Sequence, residues 1–187
     1  MKQSEKLQLE SRGQCDKYLA RCIRTLKSLS APLKDWTCSE VIDVREDNPN
    51  ASLEKCELCG YPHVRYIHVM EHKNYPACLN AGCNCAGVME SDILNAKEQE
   101  RLVRNRSQRK KRFMRRNWKQ QGNDVYIRRY KKQALKITVN NGFYEVCVNG
   151  RCVCAYKQSP IVTMRIAKLV AFNLVDPVPK NNHSQNN

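Results

Sequence analysis

Two short cysteine pairs constrain this chain more than anything else in it. Cys56-Glu57-Leu58-Cys59-Gly60 is followed, after 22 residues, by Cys83-Asn84-Cys85-Ala86-Gly87. A Cys-x-x-Cys step sets two thiolates on one ion across a tight turn, and the glycine after it lets backbone N–H groups face sulfur. The second pair opens a helical stretch, where unsatisfied N–H groups and the positive end of the macrodipole favour thiolate. Such a four-thiol set predicts one Zn2+ per chain, held by Cys56, Cys59, Cys83 and Cys85. The competing reading is a cluster of buried free thiols, and two close-spaced pairs weigh against it. His68, His72 and Cys78 lie between the pairs and stand as substitutes for one thiol; His63 is the weaker fourth choice.

Between the pairs, Val64 to Met70 alternates like a strand. Knuckle, hairpin and ligands at a helix N-terminus is an order that resembles the treble-clef zinc fingers, over roughly residues 54–95. The resemblance implies the same four cysteine ligands, although the second pair here is Cys-x-Cys where treble clefs usually carry Cys-x-x-Cys. A weaker resemblance, to the HNH nucleases, rests on Glu71-His72 with Asn80. It implies His72 as general base and Asn80 as the residue that orients it. No histidine follows on the helix to complete a metal-dependent site, which weighs against an enzyme.

Charge points to the partner. The chain carries 33 Lys and Arg against 18 acidic residues, a formal +15, which favours polyanions: nucleic acid first, an anionic membrane surface second. Ten basic residues run uninterrupted by acid: Arg101, Arg104, Arg106, Arg109, Lys110, Lys111, Arg112, Arg115, Arg116 and Lys119. Nine consecutive polar residues separate Val103 from Phe113, so this stretch reads as a helix with no face suited to a core. Its like charges repel at i,i+4, and phosphate would neutralise them. Replacing Arg109 to Arg112 with Gln is accordingly expected to spare the fold. Membrane binding is disfavoured, because the run lacks an apolar face.

The sequence thus predicts a zinc-stabilised, non-enzymatic DNA- or RNA-binding protein. An HNH-like nuclease and a zinc-containing protein-interaction adaptor, with a protein partner, are the alternatives. Eleven cysteines are an odd number in a chain too long for a secreted disulfide scaffold, and no apolar run is long enough to span a membrane. No apolar stretch follows Met1-Lys2, so no signal peptide is expected and a cytoplasmic setting is.

The predicted fold class is α+β, in four parts. Residues 1–50 hold an amphipathic helix over 14–30, with Cys15 and Cys22 in its apolar stripe, and an edge strand from Trp36 to Val44. Residues 51–121 hold the zinc module, which feeds one long basic helix over 86–120. Residues 122–176 form a β-β-β-α module: Asn140-Asn141-Gly142 and Asn149-Gly150 mark hairpins, and Ser159-Pro160 opens a helix to about Leu174. If Asn149-Gly150 is a two-residue turn, Cys147 faces Cys152, and Cys154 shares that face; core packing is favoured over metal or oxidation. The sheet aromatics Tyr126, Tyr130, Phe143, Tyr144 and Tyr156 are read mainly as core, with base stacking as the alternative. Residues 177–187 are an Asn-rich tail, expected to be disordered.

Overall fold

The computed structural model describes residues 17–179; Cys15, the N-terminal part of the helix expected over 14–30 and the expected disordered tail beyond Pro179 lie outside them. Among the described residues there are four helices and ten strands in three antiparallel sheets, a mixed α+β architecture. Residues 17–104 belong to one compact unit and Asn105–Pro179 to a second.

In the first unit, helix α1 (residues 17–28) buries Cys22 and Leu26 at a one-turn spacing. Ser30, with φ 53°, turns the chain before Ala31-Pro32. Strands β1 (Thr37–Asp43), β2 (Tyr66–His72) and β3 (Tyr75–Ala81) pair in the order β1-β2-β3, so β1 is an edge strand as its alternation predicts. Helix α2 (Cys83–Glu90) packs on this sheet. Leu26, Trp36, Met70, Ala81, Ala86 and Met89 fill the core between them.

The expected single helix over 86–120 is two helices. Helix α2 stops at Ser91, a left-handed residue with φ 60°. The Asp92 N–H returns to the Gly87 carbonyl at 2.9 Å, and the Asp92 carboxylate then accepts the Asn95 N–H at 2.9 Å, capping α3 (Ile93–Arg115). Ser91-Asp92 contains neither Gly nor Pro, so the break is carried by capping chemistry alone. Gly87 is required at the crossing: a Cβ there would lie 2.7 Å from the Ile93 Cα. The helix also ends sooner than expected, because Lys119–Gln120 is already strand β4.

The second unit is richer in strands than a three-strand module. Strands β4, β5 (Val125–Tyr130), β6 (Gln133–Asn140), β7 (Phe143–Val148) and β8 (Arg151–Val153) form one antiparallel sheet in sequence order. Both Asn-Gly turns form, with positive φ at Asn141, Gly142, Asn149 and Gly150. The β5–β6 turn is Lys131-Lys132, also at positive φ (49° and 65°). Two lysines are an unusual choice for that conformation, which hid this hairpin from sequence reasoning. Ser159-Pro160 does not open a helix; it is strand β10, paired with β9 (Ala155–Tyr156). Helix α4 (Met164–Val175) is capped instead by Thr163, whose Oγ1 accepts the Ile166 N–H at 3.2 Å. It packs on β6 and β7 over Leu135, Ile137, Val146 and Phe172. Cys147 and Cys152 are register partners joined as a disulfide, so they are neither free core thiols nor metal ligands here.

Candidate functional site

The knuckle forms as its sequence dictates. The Gly60 N–H bonds the Cys56 carbonyl at 2.8 Å with Gly60 at φ +77°, and the Cys56 N–H bonds the Tyr61 carbonyl at 2.8 Å. The Glu57 N–H bonds the Asn80 carbonyl at 2.9 Å, which ties the knuckle to β3 just before α2.

The four proposed ligands do not converge on one point. Cys56, Cys59 and Cys85 have their sulfurs within 4.8 Å of one another. Cys83 belongs to a different group, with His68 and Glu100, whose donor atoms also lie within 4.8 Å. The reason is helical geometry: residues i and i+2 project about 200° apart, so a Cys-x-Cys pair in the first turn points two ways. His72 and Cys78 join neither group. The His72 Nδ1 accepts the Asn74 N–H at 3.0 Å, and Cys78 is exposed beside Glu71. His72 is also set apart from Asn80, since His72 pairs with Tyr75 and Asn80 with Val69. His63 lies on the rim of the pocket described below.

Electrostatics within the thiol group fit a bound cation. Cys85 beside it, with the backbone N–H groups of Cys59, Gly82 and Leu58, draws the Cys56 thiol down to about 5 against the effect of burial. The Gly82 N–H reaches the Cys56 sulfur at 3.4 Å. Cys85 is pushed up, first by the Cys56 sulfur and then by burial. Two sulfurs this close favour a single negative charge between them, and a cation would stabilise a second. The Tyr18 hydroxyl touches the Cys85 sulfur at 2.8 Å, and fully buried Cys22 lies against both Tyr18 and Cys85. Sequence reasoning placed Cys22 in an apolar stripe; its position one turn after Tyr18 was the available signal.

Both groups border one open pocket of about 730 Å³, whose lining includes Arg21, His63, Arg65 and Tyr66. In the second group, burial and then Glu100 push the Cys83 thiol up to about 11. His68 and then Arg104 hold the Glu100 carboxyl below the usual range, against burial.

The basic run divides. Arg101 forks onto Glu98 at 2.6 and 2.7 Å, and Arg104 pairs with Glu100. Arg106 is only 3% exposed: it donates to the Asp176 carbonyl at 3.0 Å and the Asn173 Oδ1 at 2.8 Å, and lies over the Phe172 ring. Arg109 forks onto the Asp176 carboxylate at 2.6 and 3.0 Å. Ser107, Lys110 and Phe113 are buried as well. The expectation that this stretch offers no core face is thus overturned. Arg and Lys bury their stems along apolar surface while their heads find acceptors, so a polar string can make a packed stripe. Lys111, Arg112, Arg115, Arg116 and Lys119 remain exposed.

The sheet adds a second basic surface. Cross-strand pairing aligns Lys119, Ile127, Lys136, Cys147 and Cys152 in one row over β4 to β8. Lys119, Arg129 and Lys136 line a pocket of about 560 Å³ beside the disulfide. Of the sheet aromatics, Tyr126, Tyr130, Tyr144 and Tyr156 pack on the core, and only Phe143 is largely exposed. No helix of the described residues is long and apolar enough to cross a membrane. No family model, curated relative or solved structure matches this chain.

Proposed function

We propose that this is a zinc-stabilised, non-enzymatic nucleic-acid-binding protein in which the first unit is built on the metal and the second carries the polyanion contact. The observation that carries the reading is where the charge sits. Asn105–Pro179 holds 17 lysines and arginines against three acidic residues, +14 of the chain's +15, whereas residues 1–104 hold 15 of each sign. Such a concentration on one unit is the footprint of a phosphate-binding surface. The contacts fall to two sets: the exposed end of α3 (Lys111, Arg112, Arg115, Arg116) and the sheet row with Lys119, Arg129 and Lys136. Arg106, Arg109 and Lys110 serve the fold and are not contacts.

Zinc is the ion best matched to Cys56, Cys59 and Cys85, because sulfurs across a tetrahedral zinc are spaced by about 3.8 Å. Cys22 lies beside Cys85 and is the candidate for the fourth ligand in place of Cys83; the order of knuckle, hairpin and helix resembles that of the treble clefs.

The test is salt-dependent binding of duplex DNA and of single-stranded RNA. Replacing Lys111, Arg112, Arg115 and Arg116 with Gln should weaken binding on every sequence and flatten the log–log salt slope by about 0.9 per lost phosphate contact on duplex DNA. Unchanged affinity and slope, both here and in a Lys119/Arg129/Lys136→Gln variant, would make the adaptor the better reading.

A further inference from the structure

His68 is fully buried in the middle of β2, and its ring orientation is fixed from one side. Its Nδ1 faces the Cys38 sulfur at 3.7 Å, and that sulfur donates its own proton to the Glu40 carbonyl at 3.2 Å. A ring hydrogen on Nδ1, shared with that sulfur, would leave Nε2 a lone pair, the tautomer that binds a metal. The buried Nε2 has no hydrogen-bond partner. It points toward Glu100 Oε2, 3.9 Å away, with the Cys83 sulfur within 4.8 Å of both. A fully buried imidazole nitrogen, a thiol and a carboxylate oxygen thus converge at the edge of a pocket.

We infer that His68, Cys83 and Glu100 bind a second divalent transition-metal ion of the zinc class, separate from the Cys56–Cys59–Cys85 site. The gap of 3.9 Å is too long for a hydrogen bond, while N and O ligands of one tetrahedral zinc stand about 3.4 Å apart, a small closure. Imidazole, thiolate and carboxylate are all ordinary zinc donors. They come from three elements, β2, the first turn of α2 and α3, so the ion would pin these together. The supporting contacts match those of a ligand set: Cys38 orients the imidazole, and Arg104 holds the other Glu100 oxygen. Three protein donors leave a fourth position, and Cys83 and Glu100 both border the 730 Å³ pocket. That position is open to water or to an anionic oxygen ligand, in contrast to a closed structural site. The inference stands without the nucleic-acid reading and without the identity of the ion at the thiol group.

Cobalt titration of the metal-stripped full chain tests it, with zinc content by elemental analysis alongside. The wild type should take up two equivalents. Glu100→Gln should take up one and keep most of the thiolate-to-cobalt charge-transfer band, because only Cys83 leaves the ligand set. Cys83→Ser should match it, whereas Cys56→Ser should lose the other equivalent. One equivalent in the wild type, or two in Glu100→Gln, would overturn the second site. Loss of all metal from Cys83→Ser with Glu100→Gln unaffected would do so too, by returning Cys83 to the thiol group. X-ray absorption of the two-equivalent wild type depends on no variant surviving: nitrogen or oxygen scatterers must accompany sulfur, and an all-sulfur shell refutes the site.

Discussion

The two units handle their buried polar groups in opposite ways. In the second, charge is matched within the unit: Asp176, only 6% exposed, accepts from Arg109 and Lys131, while its carbonyl takes Arg106. In the first, one ion pair is matched likewise, Arg65 with Asp43 at 2.9 Å, but two sets of Cys, His and Glu donors also converge. Net charge runs the other way, since the unit with the converging donors is neutral and the matched one is strongly basic. The proposed polyanion surface therefore rests on charge that is legible in the sequence. The proposed metal sites rest on donors that only the fold brings together.

The largest expected effect separates the units outright. Stripping metal with a strong chelator at neutral pH should unfold the first unit, since structural zinc contributes about 10–16 kcal/mol in small zinc modules. Segment-resolved hydrogen exchange should show protection lost in β1–β3 and α2 and kept in β5–β7. Equal loss in both units would mean that they do not differ in what holds them together.

Next in size is Asp176→Asn, which leaves Arg109 and Lys131 without their carboxylate. About 3 kcal/mol should be lost from the second unit, read by urea unfolding followed at Trp118 in a Trp36→Phe background. The pH dependence has a definite sign. Burial raises the Asp176 carboxyl, but Arg109 and Lys131 overcome it and the net shift is downward. A depressed folded value adds stability that is fully present above the ordinary carboxylate range and is lost as pH falls through the folded value. The wild type should lose more stability than Asp176→Asn on acidification below about pH 4. Parallel curves would show that the carboxylate's charge is not what holds the C-terminus of α4.

Gly87→Ala should cost the first unit about 1–3 kcal/mol, because the new methyl meets Ile93 backbone at 2.7 Å. A neutral result in chemical unfolding followed at Trp36 would mean that the α2–α3 corner moves freely, and that α3 does not hold Glu100 rigidly. The smallest effect has the opposite sign. Lys132→Gly should stabilise the second unit by about 0.5–1 kcal/mol, since Lys132 sits at φ 65°. A loss instead would assign the Lys132 side chain a contact beyond its turn.

Much of the architecture was local and therefore legible. The knuckle needs only Cys56, Cys59 and Gly60, and both Asn-Gly turns set their own hairpin registers, bringing Cys147 opposite Cys152. Residues Thr37–Asp43 and Tyr66–His72 form strands as their alternation predicts. The α2–α3 break and the Lys131-Lys132 turn were missed because their residues are permissive there without being diagnostic.

What the chain by itself determined is the inventory: a thiol-rich half, a basic half, and the short-range geometry of knuckle and turns, all fixed by neighbours within a few residues. Which donors meet was decided by tertiary structure. Cys83 and Cys85 are two residues apart, yet a helical turn sends them to different groups, one completed by His68 from β2 and Glu100 from α3, the other joined by Tyr18 and Cys22 from α1. The same holds for the basic run, where Arg106 and Arg112 look equivalent in sequence. Packing over Phe172 turns the first into core and leaves the second at the surface, because burial of a cation depends on acceptors that only the folded chain can bring to it.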